Sequence, residues 1–232
     1  MILVGDVGGT RTRLALATRT GGAWQLSNVE DGPTTPEIAS AIARYLGAKA
    51  RDGVTAAAFA AAGVVSADGS IRLTNAGVHL VPEVLAKAAG VPRATLVNDF
   101  GAIAEAVPHL PPENLVHCGG GTIVQGQPVA VLGPGTGLGT ALGAWGPGGW
   151  VAITGEGGHV DLAPADDDEL EIWQRLRRAH GRVSAETVLC GPGLERLYAA
   201  VSGGKTLAVT EIDEAAWRGE PDARQTHALF TR

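Results

Sequence analysis

Two neighbouring polar residues, Asn98 and Asp99, follow a short apolar run and could act together on a substrate hydroxyl. An ionised aspartate only accepts hydrogen bonds, so Asp99 could take a proton from a hydroxyl while the amide of Asn98 holds the same substrate. The run at residues 94–97 is typical of a buried strand, and open α/β sheets bind ligands where such strands end. The alternative is that both residues only cap the next helix, because Asn and Asp are preferred N-cap residues.

Two glycine-rich turns, at Gly8-Gly9-Thr10 and at residues 133–139, each lie between two predicted strands. Glycine allows backbone N–H groups to approach a ligand closely, and converging N–H groups bind anions. Asp6 would lie beside the first turn and could hold a hydrated Mg²⁺. A plain hairpin is the alternative for the first turn, since Gly-Gly is also an ordinary hairpin dipeptide. The repeated strand, turn and strand predict two similar halves that grip a polyphosphate.

A third cluster places Glu156 and His159 in a turn with glycines on both sides of the acid. The two side chains could bind a metal, but no further ligand follows at a recognisable spacing, so polar contacts to a substrate are favoured. Glu186, in a helix predicted to begin near Val183, could be solvated or could point at the same site. The acidic run at residues 166–169 is predicted to open a helix, because arginines near that helix's end complement its dipole.

Apolar patterning predicts the strands and helices that position these residues. Strands are expected at residues 1–7, 13–17, 23–29, 54–62, 94–97, 129–132, 140–145 and 150–153, and helices near residues 38–46, 82–89 and 101–107. Residues 71–75 fit a strand or a turn. The stretch at 111–127, rich in proline and glycine, marks a crossover or hinge. We therefore expect two α/β domains, residues 1–110 and 111–232.

Composition and charge narrow the class of protein. The net charge of −6, without a basic stripe, argues against a nucleic-acid partner. No apolar run is long enough to span a membrane, and Met1 leads directly into a predicted strand, which leaves no room for a secretory signal. Cys118 and Cys190 lie far apart, without the spacing of a metal site, which suits a reducing compartment. We expect a cytoplasmic protein with no membrane contact.

Five stretches in a fixed order resemble the bacterial ATP-dependent glucokinases of the hexokinase, heat-shock-ATPase and actin superfamily. They are residues 5–10, 97–100, 133–139, 155–161 and 184–193. The resemblance implies two RNase-H-like α/β domains, of the actin-like ATPase type, around a cleft. It also implies transfer of the ATP γ-phosphoryl group to the 6-hydroxyl of glucose, with ATP and Mg²⁺ as cofactors, and assembly as a homodimer.

The same resemblance assigns roles residue by residue. Asp99 is implied to be the general base, and Asp6 to hold Mg²⁺ through water. The implied ligands of the sugar hydroxyls are Asn98, Glu156, His159 and Glu186. The implied phosphate-binding residues are Asp6, Gly8, Gly9 and Thr10 in one domain and Gly135, Thr136 and Gly137 in the other.

Two departures from the family pattern lead to further expectations. The family usually has an aromatic residue soon after the position of Asn75, where this chain has small and aliphatic residues. The family also continues beyond Arg232 with an adenosine-binding segment, more strands and a final helix, so the resemblance implies an incomplete second domain. Two alternative functions follow: a truncated, non-catalytic sugar-binding module, or an actin-like ATPase with a protein partner.

Overall fold

The computed structural model describes residues 1–49, 53–73, 77–119, 121–122, 124 and 126–232. The chain forms two compact units. Unit 1 comprises Met1–Val129 and Gly143–Thr154, and unit 2 comprises Ala130–Leu142 and Gly155–Arg232. The predicted domain boundary between residues 110 and 111 stays a prediction.

Ten strands and eight α-helices make a mixed α/β structure within the described ranges. The strands are β1 Ile2–Val7, β2 Arg11–Thr20, β3 Ala23–Pro33, β4 Ala56–Ala61, β5 Ile71–Leu73, β6 Val78–Leu80, β7 Ala94–Asn98, β8 Val129–Pro134, β9 Leu138–Gly146 and β10 Gly149–Gly155. The helices are α1 Ile38–Lys49, α2 Pro82–Ala89, α3 Asp99–Ala106, α4 Asp167–His180, α5 Ala185–Val188, α6 Gly191–Val201, α7 Val209–Trp217 and α8 Pro221–Phe230.

The main sheet of unit 1 has the strand order β3-β2-β1-β4-β7. Strands β1, β2 and β3 are antiparallel neighbours, whereas β1, β4 and β7 run parallel. Val7 pairs with Ala61, and Ala61 pairs with Asn98, so three parallel strands end side by side. This register places Asp6 and Asp99 at the same edge of the sheet, where α/β proteins bind their ligands.

One buried cluster packs α1 and α2 against this sheet. Leu3 and Phe59 from the sheet are at most 1% exposed, and so are Ile42 of α1 and Leu85 of α2. Gly5 is required beside Phe59, because a Cβ atom there would lie 2.5 Å from Cδ1 of that ring. The apolar residues of α1 repeat every three or four positions, which is the spacing of a helix with one buried face.

The strands β8, β9 and β10 form a second sheet in the order β10-β9-β8. In unit 2, helices α4 to α8 bury their apolar residues in two clusters, one around Leu176 and Leu197 and one around Tyr198 and Ile212. The acidic run does open α4, because the Asp166 side chain accepts a hydrogen bond from the Glu169 N–H at 2.8 Å. No helix in the described segments is long and apolar enough to cross a bilayer.

Several predicted elements have shifted limits. The helix expected at residues 101–107 begins at Asp99, so Asp99 lies in its first turn. Residues 71–73 form β5, which pairs with β6, while the rest of that predicted element, Thr74 and Asn75, and the neighbouring Ala76 lie outside the described residues. The predicted helix 82–89 matches α2, because Pro82 at its start and Gly90 at its end mark the limits in the sequence.

Candidate active site

Asn98 and Asp99 connect the end of β7 to the start of α3. Asn98 is the N-cap residue, because its Oδ1 accepts the Gly101 N–H at 2.9 Å. Its Nδ2 donates to the Gly63 carbonyl at 3.0 Å. Asp99 Oδ1 accepts the N–H of Phe100 at 2.9 Å. The capping interpretation is therefore confirmed for Asn98, whereas Asp99 uses Oδ1 locally, and no hydrogen bond to its Oδ2 is found within the described part of the chain.

Asp6 belongs to a line of alternating charges across the sheet of unit 1. Its carboxylate lies 3.5 Å from Arg13, which is 3.6 Å from Asp31, and the register places these three residues opposite one another. Burial raises the pKa of Asp6, Arg13 lowers it in part, and the negative charges of Asp99 and Asp31 raise it further.

The first glycine turn is held from behind, and its tip is open. Gly8 N–H donates to the Arg11 carbonyl at 2.9 Å. Thr34 Oγ1 donates to the Gly8 carbonyl at 2.7 Å, and Thr34 N–H donates to the Thr10 carbonyl at 3.0 Å. A Cβ atom at Gly9 would meet nothing within 4 Å. The turn is thus a β1–β2 hairpin whose tip, at Gly9 and Thr10, faces open space.

In unit 2, His159 lies between two carboxylates. Its Nε2 is 3.7 Å from Glu156 Oε2, and its Nδ1 is 3.9 Å from Glu186 Oε1. Both distances are too long for hydrogen bonds, so a ligand hydroxyl could bridge either pair. The side chains of Glu156 and His159 are more than half exposed, and that of Glu186 is one-third exposed. The structure therefore brings together these three predicted sugar ligands.

Backbone hydrogen bonds fix the two segments that carry these side chains. The Ala185 N–H donates to the Val160 carbonyl at 2.9 Å, and the Leu162 N–H donates to the Val183 carbonyl at 3.1 Å. Ser184 caps α5 through a reciprocal pair of hydrogen bonds with Thr187. The turn that carries His159 therefore runs beside the helix that carries Glu186, and their proximity is set by the main chain.

The second glycine turn is attached to α6 and to Glu186. Gly135 N–H donates to the Gly137 carbonyl at 2.8 Å, and the Gly191 N–H donates to the Gly135 carbonyl at 2.9 Å. Leu138 N–H donates to Glu186 Oε2 at 2.9 Å. Within the described part of the chain, no hydrogen bond is found from the N–H of Thr136 or Gly137. These two groups are therefore available to an anion.

The structure offers a single carboxylate, that of Asp6, for the expected Mg²⁺. No group of three or more potential metal ligands occurs among the side chains that the structure describes. Magnesium commonly binds through one or two carboxylates together with the phosphates of a substrate. Asp6 is such a single carboxylate, and its side chain is 55% exposed at the edge of the sheet. It could hold a hydrated ion together with a phosphate.

Sequence reasoning missed three contributors to these sites. Arg13 faces Asp6, and Thr34 holds the first glycine turn. Thr140 accepts the N–H of Gly157 through its hydroxyl at 2.9 Å and so fixes the turn before His159. Only Arg13 left a signal in the sequence, because a tight hairpin at Gly8-Gly9 pairs positions 6 and 13.

Comparison with known proteins identifies the family. The sequence matches the Glucokinase family over residues 3–232. It is 44% identical over 207 residues to a glucokinase of Paramagnetospirillum magneticum, covering 87% of this chain and 63% of that protein. It is 39% identical over 202 residues to a glucokinase of Salmonella typhi, covering 86% and 61%. The chain thus spans less than two thirds of the length of these relatives.

A solved structure supports the same conclusion. The crystal structure of a glucokinase from an Antarctic psychrotroph is 31% identical to this chain and similar in structure, with a TM-score of 0.84. The match covers 99% of this chain and 74% of that one. It confirms the predicted α/β fold class, and the chain belongs to the Glucokinase family.

Proposed function

We propose that this chain carries catalytic residues of an ATP-dependent glucokinase, which transfers the γ-phosphoryl group of ATP to the 6-hydroxyl of glucose. The observation that carries the proposal is the cluster of Glu156, His159 and Glu186. The side chains of Glu156 and His159 are more than half exposed and that of Glu186 is one-third exposed, main-chain hydrogen bonds hold together the segments that carry them, and their nearest atoms are 3.7 and 3.9 Å apart. The names of the relatives supply glucose as the substrate.

Asp99 would act as the general base. Its Oδ1 accepts the Phe100 N–H, and its Oδ2 would accept the proton of the 6-hydroxyl. The substrate oxygen then forms a bond to the γ-phosphorus while the bond to the leaving oxygen of ADP breaks. Phosphoryl transfer depends mainly on positioning and on neutralising charge, so a fixed base and fixed phosphates suffice.

The sugar would be held by the remaining polar side chains. Glu156, His159 and Glu186 would bind hydroxyl groups, and Asn98 would contribute the second hydrogen of its amide. A sugar that presents a hydroxyl to each of these groups would pair all of them, whereas a polyol that lacks one of the hydroxyls would leave a polar group unpaired.

The two glycine turns would hold the phosphates. Gly9 and Thr10 would contribute N–H groups from unit 1, and Thr136 and Gly137 from unit 2, while Gly8 and Gly135, whose N–H groups donate to Arg11 and Gly137, would shape the turns. Asp6 would hold Mg²⁺ through water, and the ion would neutralise the charge of the phosphates. Calorimetric titration of the chain with a non-hydrolysable ATP analogue, with and without Mg²⁺, tests this role. Asp6→Asn should reduce the gain in nucleotide affinity that Mg²⁺ produces.

A coupled assay for glucose 6-phosphate tests the proposed reaction. We expect product from ATP, Mg²⁺ and glucose. Absence of product from a folded chain that still binds glucose in calorimetry would support a sugar-binding module instead. ATP hydrolysis that no sugar stimulates would support an actin-like ATPase.

The homodimer and the cytoplasmic location are also proposals. Strand β3 is the outer strand of its sheet and exposes Trp24, Leu26 and Val29 by more than half. An exposed outer strand is a template for pairing with another chain. Sedimentation velocity should show a dimer that Leu26→Lys dissociates, whereas Trp217→Lys on α7 should not.

The proposed cytoplasmic location agrees with the cysteines. Cys118 and Cys190 are both free, which suits a reducing compartment. Cell fractionation tests the location.

A further inference from the structure

Glu186 contacts the second glycine turn with one carboxylate oxygen and faces His159 with the other. Oε2 accepts the Leu138 N–H at 2.9 Å, and Oε1 lies 3.9 Å from His159 Nδ1. The two oxygens belong to one rigid planar group, so a ligand that orients Oε1 also orients Oε2. A single side chain in unit 2 therefore connects the proposed sugar ligands to the proposed phosphate-binding turn.

The glycine at position 137 is a second, independent sign of this connection. A Cβ atom there would lie 2.5 Å from Glu186 Oε2 and 3.2 Å from its carboxylate carbon. Any other residue at 137 would push the carboxylate away from the Leu138 N–H. Glycine is thus needed here for the close approach of Glu186, in addition to any contact between its own N–H and phosphate.

We propose that Glu186 couples the binding of glucose to the binding of nucleotide, beyond its role as a sugar ligand. The inference rests on the proposed function. A sugar hydroxyl that donates to Oε1 holds the carboxylate in one orientation, and this holds the Leu138 N–H and the glycine turn in one conformation. The nucleotide then binds a turn that is already ordered, so less conformational entropy is lost. Because such coupling is reciprocal, bound nucleotide raises the affinity for glucose by the same factor.

Calorimetric titration of glucose, with and without Mg²⁺ and a non-hydrolysable ATP analogue, measures the coupling factor. For the unaltered chain we expect a factor within the usual range of about 5 to 150. Glu186→Ala should bring the factor to one, because both connections are lost. Glu186→Gln should weaken glucose binding but keep most of the coupling, because its amide oxygen still accepts the Leu138 N–H. Gly137→Ala should lose coupling while Glu186 keeps its charge toward the sugar.

A matched control and a ligand-free readout complete the design. Glu211 also accepts a backbone N–H, from Ala208 at 2.8 Å, but lies on α7 outside the proposed site. Glu211→Ala should leave both glucose affinity and coupling unchanged. Without any ligand, the Leu138 amide should exchange hydrogen faster in Glu186→Ala and Gly137→Ala, and at the original rate in Glu186→Gln.

The outcomes separate this inference from the function on which it rests. If the unaltered chain binds glucose and nucleotide with a coupling factor of one, the inference is wrong and the proposed function stands. Coupling that survives in Glu186→Ala also overturns it. If the unaltered chain binds neither ligand, the proposed function is wrong and the inference falls with it.

Discussion

At the scale of single residues, Asp99 carries the chemical step of the proposed reaction. Asp99→Asn keeps an oxygen for the Phe100 N–H, so the start of α3 should remain intact. The amide cannot accept the hydroxyl proton, and general-base catalysis contributes about 10²- to 10⁴-fold. We expect kcat to fall by this factor with little change in glucose affinity, measured by steady-state kinetics and calorimetry. Asp168→Asn, at the exposed start of α4, is the matched control, and near-normal turnover of Asp99→Asn would assign the base elsewhere.

The opposite pKa shifts of Asp6 and Asp31 predict opposite effects of pH on stability. Burial raises the pKa of Asp6, whereas the hydrogen bond from Arg11 lowers the pKa of Asp31. Because the pKa of Asp6 is raised in the folded chain, ionisation of Asp6 lowers the free energy of unfolding. This destabilisation is present at neutral pH and disappears below 3.8, the pKa of Asp6 in the unfolded chain. Ionisation of Asp31 stabilises the fold above its unfolded value, and this contribution is lost as the pH falls through the lower, folded pKa.

Urea unfolding at pH 7, 5, 4 and 3 tests these signs, because the change expected for Asp31 lies below its unfolded pKa of 3.8. Relative to the unaltered chain, Asp6→Asn should be more stable at pH 7, with a gain that shrinks as the pH falls. Asp31→Asn should be less stable at pH 7, with a loss that also shrinks toward low pH. A loss of stability at pH 7 in Asp6→Asn would show that the contact with Arg13 outweighs burial.

At the scale of elements, α3 depends on Asn98 for its start. Asn98→Ala removes the cap and the donor to the Gly63 carbonyl, so the loss of an N-cap, typically about 1 kcal/mol, should lower the free energy of unfolding. If Asn98 also binds glucose, the same variant should raise the Kd for glucose. Denaturation and calorimetry separate the two effects. A stability loss with an unchanged glucose Kd would limit Asn98 to its role as a cap.

Short sequence patterns predicted individual strands, turns and helices, but they did not predict contacts between residues that are far apart in the sequence. The hairpin between β1 and β2 follows from Gly8-Gly9, and α2 has the limits predicted for it, residues 82–89. The hydrogen bond between Leu138 and Glu186 joins residues 48 positions apart. That between Trp150 and the Ala104 carbonyl joins residues 46 apart. Such contacts depend on how elements pack, and no periodicity in the sequence encodes them.

At the scale of the whole molecule, the two units differ in how much they bury. Among the described residues, unit 1 has one cluster of 20 buried residues that joins its sheet to α1 and α2. Unit 2 has two clusters, of six and five residues. Since burial of apolar surface is the main favourable term in folding, unit 1 should be the more stable of the two.

Hydrogen exchange monitored by mass spectrometry tests this difference. Amides of β1, β4 and β7 should exchange more slowly than amides of α4, α6 and α7, because local opening follows local burial. Glucose at about 1,000 times its Kd stabilises the states that bind it by about 4 kcal/mol. Saturating glucose should therefore slow exchange in unit 2 more than in unit 1, because unit 2 contributes Glu156, His159 and Glu186. Equal protection of both units without glucose would show that the smaller clusters of unit 2 suffice for a stable fold.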